Sequence, residues 1–401
     1  MNMANFKAEI FKAYDIRGVY EDDFGVAFAQ ELGNKIAIGK KIVIGRDNRA
    51  SSPLLEQAVI AGAIESGAEV ISIGECSTPL FYFAVNQVGA EGGIMVTASH
   101  NQPEYNGFKV VGEGAELITG AEIEARFTNS ETLLKSGGLV ATFDPLPDYI
   151  DKVAEVSQVN FPIPPLDGIK IIFDNDHDRI SFEEAKQVIV PEFIFLLLVE
   201  KCGFKKVVYD LRYSRVVAEK LAEWGVEGIK SKVGRTNVYR LMCETESDFG
   251  GELSGHYYFK SFNNLEAPEL VLAYVAKSVT TSGQTLQELT AGYKKYFKSE
   301  EINIAVTEAP NNKLQQATEG ECSAQGQQVG VITNKFKILK QKYSDAKIEE
   351  VDGLTVNYPD WWFNVRASNT EPELRLVVEA ETQELLDTKL AEIQEILRPT
   401  S

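Results

Sequence analysis

From Lys40 onward, short apolar runs alternate with longer amphipathic ones: KKIVIG, SPLLEQAVIAGAIESG, EVISIG, TPLFYFAVNQVG and GGIMVTAS. Val/Ile-rich runs separated by helix-length segments predict a parallel α/β sheet up to about residue 115. Ser52 is expected to cap the first of these helices, with Pro53 at its first position and Glu56 in its first turn. The polar residues after KKIVIG and GGIMV read as βα turns at strand C-terminal ends, where ligands bind in such sheets. A helix near DYIDKVAEV precedes the Pro-rich NFPIPPLDG, and the strand GIKIIF runs directly into DNDHDR. A second βαβ series begins near Pro191: PEFIFLLLVEKCG as helix, KKVVYDL as strand, SRVVAEKLAEWG as helix, EGIKSKVG as strand. FGGELSGHYYF and two helices, APELVLAYVAKSV and TLQELTAGYKKYF, follow. Beyond Lys298, QQATEGECSAQGQQVG reads as a loop, whereas LTVNY, ELRLVVEA and TQELLDTKLAEIQEIL read as a small α+β domain.

Composition narrows the possible functions. The 401 residues, 44% hydrophobic and 25% charged, suit a globular chain of about two to four domains. No apolar core with a cleavage site follows Met1, and no run approaches the roughly 18 apolar residues that span a bilayer, so a soluble, cytoplasmic protein is expected. Cys76, Cys202, Cys243 and Cys322 are scattered without a C-x-x-C pair, which argues against a disulfide framework or a structural zinc. With 59 acidic against 40 basic residues the net charge is −19, which repels nucleic acid and anionic lipid. A phosphate ligand must therefore find a local cluster of cations and backbone N–H groups. The composition leaves monomer and dimer both open.

Four loops carry candidate chemistry. In DNDHDR, Asp174, Asp176 and Asp178 stand at alternate positions, so an extended segment would converge three carboxylates and turn Asn175 and His177 away. Three hard oxygen donors suit Mg²⁺. An EF-hand is excluded, because its turn glycine falls at Arg179 and its bidentate glutamate at Ala185; a solvated acidic turn is the plain alternative. Arg179 stands where it could pair with an anion on the metal. RASNTEP sets Arg366 beside Ser368, Asn369 and Thr370, a forked cation with short donors that suits a phosphate, or else an ordinary hairpin turn. GGELSGH offers Glu252, Ser254 and His256 as readers of sugar hydroxyls among glycines that permit close approach. The chain's three histidines, His100, His177 and His256, all fall in these loops.

VTASHNQPEYNGFK places Ser99 directly after an apolar strand. No G-x-S-x-G elbow surrounds it, and no hydrolase arrangement of His and Asp is present. A phosphoserine is the economical reading, with Mg²⁺ on the three aspartates and with Lys109 or His100 handling protons. A serine that merely shapes the turn is the alternative.

Taken in order, YDIRG (Tyr14 to Gly18), GRDNRASS, TASHNQPEYNGFK, DNDHDR, GGELSGH and RASNTEP resemble the α-D-phosphohexomutase superfamily, within it the phosphomannomutase/phosphoglucomutase group. The resemblance implies mixed α/β domains around a central cleft plus a C-terminal α+β domain, here bounded as 1–146, 147–190, 191–298 and 299–401. It implies interconversion of hexose 1-phosphate and 6-phosphate of glucose or mannose through a hexose 1,6-bisphosphate, with Mg²⁺ and glucose 1,6-bisphosphate as cofactors. Ser99 would be the phosphoryl donor and, with Asp174, Asp176 and Asp178, a metal ligand. Arg17, His100, Lys109 and Arg179 would manage charge and protons, with Lys109 as the general acid/base. Tyr14, Glu252, Ser254 and His256 would contact the sugar, and Arg366, Ser368, Asn369 and Thr370 the phosphate that is not transferred.

Three departures stand out. Asn175 and His177 replace glycines and are expected to face away from the metal. GRTNVYRL lacks the usual lysine, so Arg235 or Arg240 would have to supply that cation. Only VSQVNFPIPPLDGIKII separates DYIDKVAE from FDNDHDR, whereas a βαβ unit needs about 30 residues or more. Most of the second domain is therefore expected to be absent, leaving the metal strand with an exposed edge. A leaky phosphatase or a sugar-phosphate binder without turnover remain the competing readings.

Overall fold

A computed structural model describes residues 6–135, 137–305, 324–368 and 373–398. The chain forms two compact units: Met1–Asp210 with Leu221–Lys230 and Gly234–Ala291, and Leu211–Lys220 with Ser231–Val233 and Gly292–Ser401.

The first sheet is built by β1 (Ile16–Val19), α1 (Val26–Ile36), β2 (Lys41–Arg46), α2 (Ser52–Glu65), β3 (Glu69–Glu75), α3 (Thr78–Gln87), β4 (Gly93–Val96), β5 (Tyr105–Val111), α4 (Gly120–Asn129) and β6 (Leu139–Thr142). Its strand order is β1-β5-β4-β2-β3-β6. Ile42 and Ile44 pack with α1 and α2, whereas Val43 between them packs with α3, so the two-residue period of a strand feeds cores on both faces. The sheet is mixed rather than parallel: β4 runs antiparallel to β5, and β5 to β1. Residues 97–104 are too few for a parallel crossover, which takes about a dozen residues or more, so the chain turns back after GGIMV instead of entering a helix. Ser52 is the first helical residue and not the cap; Ser51 holds that position, and the Ser52 hydroxyl donates to Asp47 Oδ1 at 2.5 Å.

Two glycines let α1 and α2 touch backbone to backbone. A Cβ at Gly62 would lie 1.8 Å from the Gln30 carbonyl oxygen, and one at Gly33 2.1 Å from that of Val59. Gly62→Ala is therefore expected to cost about 1–3 kcal/mol through helix separation, read as a lower melting temperature. An unchanged melt would show that the helices part freely.

α5 (Leu146–Ser157) leads to β7 (Ile169–Phe173), β8 (Ile180–Glu184) and β9 (Gln187–Ile189), a three-stranded antiparallel sheet in that order. Among the described residues β7 pairs with β8 alone and its other side is an edge; none of its residues is fully buried. Next come α6 (Pro191–Cys202), β10 (Lys206–Asp210), α7 (Arg215–Glu223), β11 (Glu227–Ser231), α8 (Arg235–Thr245), β12 (Phe249–Gly251), β13 (Tyr257–Phe259), β14 (Leu265–Glu266), α9 (Pro268–Ser282) and α10 (Leu286–Thr290). Their sheet runs β11-β10-β12-β13-β14. TLQELTAGYKKYF does not form one helix: α10 ends at Thr290 and gives way to a tight turn, Ala291–Tyr293, around Gly292.

β15 (Phe297–Lys298), β16 (Ile302–Ala305), α11 (Ala324–Lys342), β17 (Lys347–Glu349), β18 (Leu354–Asn357), β19 (Trp361–Ala367), β20 (Glu373–Ala380) and α12 (Gln383–Leu397) form the α+β end of the chain. Both β15 and β16 pair with β20, which continues through β19 and β18 to β17. The expected loop QQATEGECSAQGQQVG begins outside the described residues, but from Ala324 it is helix, because Val331, Leu339 and Tyr343 supply an apolar stripe to the sheet's core. Among the described residues, no helix is long and apolar enough to cross a membrane.

Candidate active site

Ser99 sits in the loop between β4 and β5 with a positive φ of 50° and 1% exposure. Its backbone is held from three sides. Thr97 Oγ1 accepts from its N–H at 2.9 Å, while its carbonyl accepts from Arg49 Nη2 at 2.6 Å and Asn175 Nδ2 at 3.1 Å. Arg49 also donates to the carbonyls of Asn101, Gln102 and Tyr105, so a single guanidinium ties the whole loop. Asp47 in turn orients Arg49, with its Nε 3.2 Å from Oδ2. Arg17, paired with Asp15, donates to Asn101 Oδ1 at 2.8 Å and to the Ala98 carbonyl at 3.4 Å.

Ser99 Oγ lies 3.2 Å from Asp174 Oδ2 and 3.3 Å from His100 Nδ1. Partial burial, with Arg179 and Arg17 nearby, lowers the His100 pKa to about 4. His100 is exposed at its surface, so the two guanidiniums are the sturdier cause. Its ring is thus neutral at pH 7 and able to accept a proton.

Ligand oxygens of Asp174, Asp176 and Asp178 lie within 4.8 Å of one another. The convergence does not come from strand alternation. β7 ends at Phe173, and the chain turns, with the His177 N–H donating to the Asp174 carbonyl and His177 at φ 56°. The expected outward facing of Asn175 fails, since its amide reaches the serine loop, whereas His177 stacks on Phe173 at 5.0 Å. Thr78, at the N-terminus of α3, fixes the turn twice: its N–H donates to the Asp176 carbonyl at 2.8 Å and its hydroxyl to Asp176 Oδ2 at 2.7 Å.

Lys109 Nζ lies between these carboxylates, 2.6 Å from Asp176 Oδ2 and 2.5 Å from Asp178 Oδ2, and the residue is 3% exposed. Burial opposes its charge, but Asp176 and Asp178 outweigh burial and raise its pKa, so it is an ammonium. Burial, then Asp178 and Asp176, push Asp174 up to about 7, whereas Lys109 and His256 overcome burial to hold Asp178 well below the usual carboxylate range. Asp176 Oδ1 is buried without a hydrogen-bond partner. That orphaned oxygen, with two neighbouring carboxylates and a lysine cation already drawn in, fits a divalent cation held by Asp174, Asp176 and Asp178.

Arg179 Nε stands 3.7 Å from Asp174 Oδ2 and 3.2 Å from His256 Nε2. His256 Nε2 is also 3.2 Å from Asp178 Oδ1, and Nδ1 is 3.0 Å from Glu252 Oε2 and 2.9 Å from Ser254 Oγ. Despite burial, Asp178 raises the His256 pKa to about 9. A protonated Nε2 donates to Asp178 and cannot also accept from Arg179, so Arg179 is a neighbour there and not a donor. Glu252 accepts from the Gly234 N–H at 2.9 Å and the Tyr258 hydroxyl at 2.6 Å, using lone pairs on both oxygens within the fold. Tyr14 packs against Gly234, whose φ of 117° and 2.0 Å clearance to the tyrosine oxygen admit no side chain. Neither expected stand-in cation is unengaged: Arg235 lies 3.5 Å from Glu266 Oε1, and Arg240 pairs with Glu122 at 2.9 Å.

In the second unit Arg366 is 2% exposed and meets Glu301, as do Arg212 and Arg375. The Ser368 N–H donates to the Glu373 carbonyl at 2.9 Å; Asn369 and Thr370 lie outside the described residues. Sequence reasoning missed Asp47, Arg49, Thr78, Arg212 and Glu301 as site residues. For Asp47, Arg49 and Arg212 there was a signal, because each follows the C-terminal end of a strand.

Comparison with known proteins bears on the whole chain. Residues 8–133, 193–296 and 301–396 match the phosphoglucomutase/phosphomannomutase α/β/α domain I, α/β/α domain III and C-terminal domain. A phosphomannomutase of Methanocaldococcus jannaschii is 30% identical over 97% of both chains, and a phosphomannomutase/phosphoglucomutase of Pseudomonas aeruginosa is 27% identical over 95% of this chain and 93% of its own. The first alignment runs over 465 positions against 401 residues, so at least 64 positions find no residue here. The fold is shared with a phosphoglucomutase/phosphomannomutase family protein of Burkholderia thailandensis, at a TM-score of 0.81, 22% identity and 98% coverage of each chain. The chain belongs to the α-D-phosphohexomutase superfamily, in its phosphoglucomutase/phosphomannomutase family.

Proposed function

We propose that this chain is a phosphohexomutase that interconverts the 1- and 6-phosphates of glucose and mannose through a phosphoserine at Ser99 and a hexose 1,6-bisphosphate. The observation that carries the reading is the meeting of Ser99 Oγ, the Asp174–Asp176–Asp178 triad, protonated Lys109 and neutral His100 in one small volume. A Mg²⁺ ion on the triad would supply a positive charge against phosphoryl oxygens. In the first transfer the bond from phosphorus to Ser99 Oγ breaks and one to a sugar oxygen forms, the sugar hydroxyl giving up its proton and Ser99 Oγ gaining one. In the second, after the bisphosphate has turned round, the bond from phosphorus to the other sugar oxygen breaks and the bond to Ser99 Oγ re-forms, with the proton movements reversed. Position assigns the two tasks: neutral His100, 3.3 Å from Ser99 Oγ, as base, and the Lys109 ammonium, held by Asp176 and Asp178, as acid. Arg17 and Arg179 set the charge around them, and Tyr14, Glu252, Ser254 and His256 form the sugar side. Arg366 with Ser368, Asn369 and Thr370 holds the phosphate that is not transferred.

The domain reading follows the same lines: 1–146, a shortened second domain 147–190, 191–298 and 299–401. The three-stranded sheet between residues 134 and 192, a stretch outside the matched segments, supports it, as do the unmatched positions of the alignment. Although its strand β7 is an edge, the triad remains anchored through Thr78, Lys109 and Asn175.

Glucose 1-phosphate supplied with catalytic glucose 1,6-bisphosphate and Mg²⁺ is expected to yield glucose 6-phosphate with negligible free phosphate, and mannose 1-phosphate to behave alike. Chelation should abolish turnover and added Mg²⁺ restore it. Free phosphate as the main product would point to a hydrolase, and binding without product to a non-enzymatic protein.

A further inference from the structure

Arg366 and Arg375 occupy directly opposed positions on β19 and β20. Like charges so placed destabilise a strand pair unless an anion lies between them. Glu301, just before β16, supplies that anion. Its carboxylate lies 3.1 Å from Arg366 Nη2, 3.4 Å from Arg375 Nη1 and 2.9 Å from Arg212 Nη1. Three guanidiniums thus share one carboxylate, and Glu373 lies 3.7 Å from Arg375 Nε. Arg366 is 2% exposed, and its Nε is buried without a hydrogen-bond partner, so Glu301 leaves that donor unsatisfied. Burial would raise the Glu301 pKa, but Arg212 and Arg366 outweigh it and hold the pKa below its ordinary value, so the group is ionised at neutral pH.

We propose that Glu301 is an internal stand-in for phosphate, whose carboxylate occupies the Arg212–Arg366–Arg375 cluster of the unliganded protein and is displaced by an incoming phosphate monoester. This rests on the reading that Arg366 receives the phosphate not being transferred, and adds to it two further arginines and a competing carboxylate. A guanidinium fork accepts carboxylate and phosphate in the same geometry, but the dianion brings more charge and more acceptors. The carboxylate gives the buried Arg366 guanidinium a counter-charge in the empty protein, and by re-entering the cluster it lowers the cost of letting the phosphate go. A site that must release a bisphosphate so that it can turn round gains from a weakened grip.

Glu301→Gln and Glu301→Asp in the full chain test this by calorimetric binding of inorganic phosphate and glucose 6-phosphate, and by melting with and without phosphate. Glu301→Gln is expected to bind both anions about tenfold more tightly, a gain that shrinks with salt, to melt lower than wild type without anion, and to regain the difference when phosphate is added. Its kcat should fall together with KM, and Glu301→Asp, which keeps the charge on a shorter arm, should bind phosphate with an affinity between those of wild type and Glu301→Gln. Unchanged or weaker anion binding by a folded Glu301→Gln overturns the proposal, as does a variant that fails to fold even in saturating phosphate. The outcome separates from the functional reading: absent mutase turnover in wild type counts against that reading alone, whereas the variant's affinity for inorganic phosphate decides the role of Glu301 in either case.

Discussion

Replacing Ser99 by alanine is expected to lower kcat for hexose phosphate interconversion by about 10³-fold or more, while glucose 6-phosphate still binds and the melting temperature shifts little. The loop's shape does not depend on the hydroxyl: Arg49, Asn175 and Thr97 all hold Ser99 through its backbone. Among the described residues, the side chain's hydrogen-bond contacts are those to Asp174 and His100, both longer than 3 Å. A serine that served the turn alone would lose stability and keep turnover, so parallel assay and melting of Ser99→Ala distinguish the roles. Turnover within a few fold of wild type would remove the phosphoserine from the mechanism.

Lys109→Met is expected to be costly in both respects. Its ammonium is the buried counter-charge of Asp176 and Asp178, whose side chains are 0% and 2% exposed. Removing one partner of a buried ion pair leaves uncompensated charge, about 3–5 kcal/mol. Without added metal the variant should therefore melt well below wild type. A divalent cation offers Asp176 and Asp178 another counter-charge, so Mg²⁺ should raise the variant's melting temperature more than that of wild type. Turnover should stay on the order of 10²-fold low even in Mg²⁺, because the acid is gone. A variant that melts like wild type in chelator, or recovers full turnover in Mg²⁺, would refute the placement of Lys109 as counter-charge and acid.

Much of this architecture was legible because its signals are local. Apolar periodicity marked α2, α3, α5, α6, α7, α9 and α12, and Asp174, Asp176 and Asp178 declared themselves by spacing and type, whereas α4 and α8 went unmarked. What was not legible depends on distant partners. Nothing near Ser99 shows that Arg49 or Asn175 will clamp its carbonyl, and nothing near Asp176 shows that Thr78 will meet it. The triad converges through a turn with a non-glycine residue, His177, at positive φ, a conformation that residue type does not announce. The mixed sheet was misread because GGIMV has the same pattern whether a helix or an antiparallel strand follows it. Arg212 was passed over because its partner Glu301 is far along the chain and neither belongs to a phosphate-like motif.

The phosphoryl group's route tests the central claim most directly. The protein is charged with labelled phosphate from glucose 1,6-bisphosphate, the label is mapped, and the charged protein is mixed with excess unlabelled glucose 6-phosphate in a single turnover. The account predicts label on Ser99 before mixing and on sugar bisphosphate afterwards, with almost none as inorganic phosphate. Label on another residue, or its release to water in place of transfer to sugar, would contradict it.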